Sequence, residues 1–123
     1  MMKHILLVDD VSTNLKCEGL ILEGKYKITM VKSGREALAF FKTEIPDLVL
    51  LDIYMDEIDG YEVLECMKAA PETAEVPVIL LTADNEKKSK ERGMALGAVD
   101  FIRKPVEPQM LLDRIEALWK TEE

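Results

Sequence analysis

No stretch of this chain is long and apolar enough to cross a bilayer. Its longest apolar runs, such as Ile5 to Val8 and Leu48 to Leu51, fall far short of the roughly 20 residues that a spanning helix needs. A secretory layout is missing too, because Met-Met-Lys-His-Ile-Leu-Leu-Val has only a short apolar run before it reaches two aspartates. Positive charge is scarce, with 16 Lys and Arg against 24 Asp and Glu. The formal net charge of -8 would repel a phosphate backbone, which argues against direct nucleic-acid binding. Cysteine is limited to Cys17 and Cys66. Neither has a second cysteine or histidine at metal-ligand spacing, so reduced structural thiols are expected. Repeats, low-complexity segments and linkers are also missing. The expectation is a cytoplasmic protein without membrane contact, folded as one domain over residues 1–123.

What remains is an ordinary globular balance, 48% apolar and 33% charged, in a chain long enough to bury roughly two-thirds of its unfolded surface. Short β-branched and leucine-rich runs occur at His4–Val8, Lys27–Val31, Leu48–Leu51, Val78–Leu81 and Val99–Ile102. Helical spacing fills the gaps between them. Leu15, Gly19 and Leu22 share one face, as do Leu38 and Phe41, Leu64 and Met67, and Leu111, Ile115 and Leu118. Ser33 suits a cap for a helix starting near Gly34, and Pro108 suits the first turn of the last helix. Pro46 and Pro77 stand just before the third and fourth strands, where a missing N–H matters least. Runs such as Leu48-Val49-Leu50-Leu51 do not alternate, as expected of parallel strands covered on both faces. The reading is α/β, with helices on both sides of a five-stranded parallel sheet. His4, a lone histidine near the terminus, is expected at the surface.

In such a sheet, ligands bind beyond the carboxyl ends of the strands, where strand order reverses. The first strand ends in Asp9 and Asp10, the third reaches Asp52, the fourth Thr82, and Lys104-Pro105 follows the fifth. Three gathered carboxylates repel one another unless a cation or raised pKa values relieve them. Mg²⁺ suits such a site, because it binds through one or two carboxylates and keeps positions for water and phosphate oxygens. A carboxylate beside it can attack phosphorus and form an aspartyl phosphate. Lys104 offers a point charge and Thr82 a hydroxyl to the phosphoryl oxygens. An acidic pair in a turn or a lone threonine before a helix means little by itself. Their convergence on one sheet edge carries the inference.

Across essentially its whole length, the chain resembles the response-regulator receiver family. The matching motifs are Ile-Leu-Leu-Val-Asp9-Asp10, Leu-Leu-Asp52-Ile-Tyr-Met, Asp59-Gly60, Pro-Val-Ile-Leu-Leu-Thr82-Ala, and Gly97-Ala98-Val-Asp100-Phe101-Ile-Arg-Lys104-Pro105. The resemblance implies a doubly wound, flavodoxin-like sheet of order 2-1-3-4-5. It implies that Asp52 accepts the phosphoryl group and that Asp10 and Asp52 ligate Mg²⁺. Asp9 would assist partly through water, and Tyr54 would donate its backbone carbonyl. Thr82 would shift toward the phosphoryl group, Phe101 would swing inward behind it, and the Lys104–Pro105 bond would be cis. The implied donor is a phosphohistidine on a sensor histidine kinase or histidine phosphotransfer protein. The face of helix four, strand five and helix five would answer to phosphorylation and serve a downstream protein or an output domain; a homodimer is a further expected assembly.

One departure from the family pattern is Asp56, which stands where proline is common and leaves the loop beside the acceptor less restrained. The resemblance implies that the side chains of Tyr54 and Asp84, two residues beyond Asp52 and Thr82 respectively, can block or position the attacking water, and bulky Tyr54 is expected to slow phosphate loss. Lys87, Lys88, Lys90, Glu91 and Arg92 give the fourth helix a solvated or partner-facing surface. A magnesium-dependent phosphatase would want a second aspartate at position 54. A flavin phosphate would meet two carboxylates where it needs hydroxyls and amides. A degenerate receiver, binding without switching, is the alternative against which intact Asp10, Asp52, Thr82 and Lys104 argue.

Overall fold

Hydrophobic runs that do not alternate have no solvent face to offer. In the computed structural model, which describes residues 2–84 and 86–120, they form one parallel sheet. Its strands are β1 (His4–Val8), β2 (Lys27–Val31), β3 (Leu48–Asp52), β4 (Val78–Thr82) and β5 (Asp100–Arg103), in the order β2-β1-β3-β4-β5. Between them run α1 (Ser12–Leu22), α2 (Gly34–Phe40), α3 (Gly60–Ala69), α4 (Lys87–Ala95) and, last, α5 (Pro108–Lys120). No helix among the described residues is long and apolar enough to cross a membrane.

Alternate residues of each central strand serve opposite cores. Leu6, Val8, Val49, Leu51, Val78 and Leu80 pack with Ala37 of α2 and Val63, Leu64 and Met67 of α3. Ile5, Leu7, Leu48, Leu50, Ile79 and Leu81 pack with Leu15 and Leu22 of α1 and Leu111, Leu112 and Ile115 of α5. Each fully buried leucine or isoleucine contributes about 1.5–3 kcal/mol relative to exposure. Among the described residues, α4 differs from the other helices, because its buried positions are only Ser89 and Gly93 and its span sends no apolar side chain into either core.

Boundary signals operate as expected at the starts of α2 and α5, and α3 has a cap that was not foreseen. Ser33 Oγ accepts the Glu36 N–H at 3.0 Å, and α5 opens on Pro108. Asp59 caps α3, its carboxylate accepting the Glu62 N–H at 2.9 Å while Glu62 reaches back to the Asp59 N–H. Strands β3 and β4 each run one residue further than their apolar runs and take in Asp52 and Thr82. β5 is shifted by one residue, running Asp100–Arg103 where Val99 to Ile102 was expected. Cys17 and Cys66 are free and exposed on α1 and α3.

The surface expectation for His4 is wrong. This residue opens β1, which pairs with β2 and β3, and is only 7% exposed. Its ring lies edge-on to Phe40, with Nε2 2.7 Å from Thr29 Oγ1 and Nδ1 3.3 Å from Glu44 Oε1. Closeness to a terminus does not imply exposure when the terminus enters mid-sheet.

Gly60 ties the fold to the sheet edge. Its N–H donates to the Ile53 carbonyl at 2.7 Å. A Cβ there would press on the Asp52 carbonyl oxygen and lie 2.8 Å from Ile53 Cα, both rigid backbone. Gly60→Ala is therefore expected to lose about 2 kcal/mol in urea denaturation, because overpacking against backbone outweighs the smaller gain in helix propensity.

Candidate functional site

Strand order reverses between β1 and β3, whose carboxyl ends carry Asp9 with Asp10 and Asp52. One carboxylate oxygen from each of these three aspartates lies within 4.8 Å of the others. Asp9 and Asp52 are buried and Asp10 is exposed, so the cluster has a closed floor and an open rim. Lys104 enters from beyond β5 and donates from Nζ to Asp9 Oδ2 at 2.6 Å and to Asp52 Oδ1 at 3.1 Å. The turn that delivers it is fixed by the Lys104 N–H bonding the Thr82 carbonyl at 2.7 Å, and the Lys104–Pro105 peptide is cis.

Charge is not fully balanced here. Burial pushes the Asp52 carboxyl up to about 6, against the attraction of Lys104 and with the repulsion of Asp9 and Asp10. Burial alone would lower the Lys104 ammonium, but its bonds to Asp9 and attraction to both aspartates outweigh it and hold the value above normal. Asp9 is doubly committed, accepting the Val11 N–H at 2.9 Å as well as Lys104. Three converging anionic oxygens with one resident cation suit a small hard divalent ion that brings further positive charge.

Thr82 lies fully buried at the end of β4, next to Leu81, the partner of Asp52 in the sheet. Its hydroxyl accepts the Asp84 N–H at 3.1 Å. Phe101 is half-buried in β5 and packs against the α2–α3 core. Tyr54 is 55% exposed, and its hydroxyl donates to Asp84 Oδ2 at 2.6 Å. Asp56 is exposed and lines a shallow groove beside Asp10 with Lys32, Ser33 and Arg35. The next residue, Glu57, holds a left-handed φ of 64° and pairs with Arg35 at 2.9 Å. Asp9, Asp10, Asp52 and the Lys104 ammonium thus meet at one sheet edge, with Thr82 at the neighbouring strand end and its hydroxyl bonded to Asp84.

Glu18 was not anticipated. It is 4% exposed on the inward face of α1, with no hydrogen bond to its carboxyl among the described residues. Burial pushes it up to about 7, partly offset by Lys104 and reinforced by Asp9 and Asp52. The signal available was spacing alone, because Glu18 shares the helix face of Leu15 and Leu22.

A family model described as the response regulator receiver domain matches residues 5–116. The response regulator PleD of Caulobacter vibrioides is 34% identical over 119 residues, covering 96% of this chain and 26% of PleD. Response regulator SaeR of Staphylococcus aureus is 35% identical over 118 residues, covering 95% of this chain and 50% of SaeR. The chain thus spans between about a quarter and a half of these curated relatives. A crystal structure of a putative response regulator from Chloroflexus aurantiacus superimposes with a TM-score of 0.91 at 33% identity, covering 95% of this chain and 97% of that one.

Proposed function

The chain belongs to the response regulator receiver family, and on that premise we propose that Asp52 is its phosphoacceptor. The observation that carries this assignment is Lys104, whose ammonium sits between buried Asp9 and Asp52 at the strand-order reversal. Residues 1–123 act as one receiver domain, taking the phosphoryl group from a phosphohistidine on a sensor histidine kinase or histidine phosphotransfer protein in the cytoplasm. The Asp52 carboxylate attacks phosphorus, the phosphorus–nitrogen bond breaks, and the imidazole nitrogen keeps the electron pair and takes up a proton. With the Asp52 value near 6, the nucleophile is mostly ionised at neutral pH.

Asp9, Asp10, Asp52 and the Tyr54 backbone carbonyl would hold Mg²⁺, which when bound neutralises charge on the transferring group. Lys104 exchanges its bond to Asp52 for one to a phosphoryl oxygen, and the Thr82 hydroxyl turns to another. The altered contacts shift a pre-existing equilibrium on the α4–β5–α5 face, with Phe101 behind Thr82. That face serves a downstream protein or an attached output domain. Beyond taking up and slowly losing its own phosphoryl group, the domain turns nothing over.

Intact-mass analysis after treatment with acetyl phosphate and Mg²⁺ tests the assignment. Wild type is expected to gain the mass of one phosphoryl group and Asp52→Asn none. An adduct that persists in Asp52→Asn, or never forms on wild type, overturns it.

A further inference from the structure

Among the described residues, α4 is the one helix whose own span places no apolar side chain, buried or half-buried, in either core, although Leu96, which ends it, packs against one. Gly93 lies so close to Leu80 that a Cβ would collide with Leu80 Cδ1. The other buried position, Ser89, is polar and only 7% exposed. Docking of α4 therefore combines the close seat of Gly93 on Leu80 with a set of polar contacts. The Tyr61 hydroxyl of α3 donates to the Ser89 carbonyl at 3.1 Å, and the Arg92 guanidinium lies 4.0 Å from the centre of the Tyr61 ring. Ser89 Oγ donates to Asp84 Oδ2 at 2.6 Å, the same oxygen that accepts the Tyr54 hydroxyl at 2.6 Å. Asp84 Oδ1 also accepts the Glu86 N–H at 2.7 Å.

These bonds form a continuous chain from α4 to the loops that follow β3 and β4. Tyr54 stands two residues beyond Asp52, and its phenol reaches from the loop after β3 to the loop after β4. Its ring thus spans the gap between the segments that carry Asp52 and Thr82. Asp84 closes the circuit, because its N–H donates to Thr82 Oγ1 at 3.1 Å. Charge-assisted bonds to a carboxylate are the stronger kind, and here two converge on one oxygen. If Ser89 moves with α4, Asp84 loses one of the donors that fix it, and Tyr54 loses a fixed acceptor.

We propose that Ser89 is a positioning residue of the acceptor site: through Asp84 it holds Tyr54 across the mouth, so that phosphate lifetime on Asp52 depends on how firmly α4 is docked. This rests on the reading of Asp52 as phosphoacceptor. In the step it controls, a water oxygen attacks phosphorus and the bond from phosphorus to the Asp52 oxygen breaks. Asp52 departs as carboxylate, and inorganic phosphate retains the two protons of the water. A clasped Tyr54 denies that water room to line up opposite the leaving oxygen, and an unclasped one swings free.

Two measurements test the clasp. The first follows decay of the adduct by intact mass after removal of acetyl phosphate. Ser89→Ala and Tyr54→Phe are each expected to shorten the lifetime about three- to tenfold, the worth of one lost hydrogen bond. The double variant should decay no faster than the faster single variant, since both break the same chain. A wild-type lifetime in Ser89→Ala, or effects that multiply, overturns the proposal. A structural defect in α4 alone would not produce this non-additivity. The second measurement uses unphosphorylated protein, in which Tyr54→Phe should speed hydrogen exchange of α4 amides while leaving β3 unchanged. Unaltered α4 exchange overturns the clasp. If wild type takes no phosphoryl group on Asp52, the proposed function falls and the lifetime claim with it, while exchange still decides whether the clasp exists.

Discussion

Replacing Lys104 with methionine is expected to remove about 3 kcal/mol of stability from the metal-free protein at pH 8, and added Mg²⁺ should restore most of it. The ammonium is the only cation within bonding distance of Asp9 and Asp52 among the described residues. Methionine matches its length but leaves two buried carboxylates uncompensated. Breaking a buried pair by deleting one partner usually destabilises by about 3–5 kcal/mol, and the lower end applies because Asp10 keeps the rim open to water. The loss should shrink on acidification, since a protonated Asp52 no longer needs the partner. Phosphoryl uptake from acetyl phosphate should slow by about 100-fold even where the fold is fully restored, as when a single donor to a developing oxyanion is removed. Urea denaturation with and without Mg²⁺, beside time-resolved intact mass, separates the two effects. Equal stability of the variant and wild type in metal-free buffer at pH 8 would count against the electrostatic account.

Glu18→Leu should act in the opposite direction, stabilising the protein by up to about 3 kcal/mol at pH 8. The folded state holds the Glu18 proton up to about pH 7, against an ordinary value of 4.5. A group that binds its proton more tightly when folded favours folding only while it is protonated. Wild-type stability should therefore fall as pH rises from about 4.5 to 7 and stay low above that. Every tenfold gain in proton affinity on folding corresponds to about 1.4 kcal/mol, which sets the ceiling. Leucine has similar bulk, needs no proton and suits the core of Leu15 and Leu22, so its advantage should be small at pH 4.5 and full at pH 8. Chemical denaturation across that range measures it. A gain that did not change with pH would assign the benefit to packing rather than to desolvation.

Both predictions concern groups that sequence reading treated unequally, and the reason is physical. Apolar runs and caps are local signals, so all five strands and the helix starts at Ser33 and Pro108 could be read within a residue or two, whereas the cap at Asp59 was passed over. Asp9, Asp10, Asp52, Thr82 and Lys104 were legible because parallel topology sends every strand end to one edge. Glu18 was not, since a face was assigned by its apolar members and the carboxylate between them was passed over. It lies beside the reactive edge, where departures from local rules are expected to concentrate. The bond from Tyr54 to Asp84 was also invisible, because it joins two loops 30 residues apart whose relative height only the folded sheet defines. His4 shows the same limit in reverse, as its burial comes from neighbouring strands rather than from its own segment.

The thin apolar footing of α4 has a consequence for descent. A helix that buries leucines must keep them, whereas this one asks only for a small polar residue at 89 and a glycine at 93. Lys87, Lys88, Lys90, Glu91 and Met94 all face solvent and are free to diverge without disturbing the sheet. New partners can therefore be acquired by rewriting α4, while the sheet edge that holds Asp9, Asp52 and Thr82, built from buried strand ends, stays as it is.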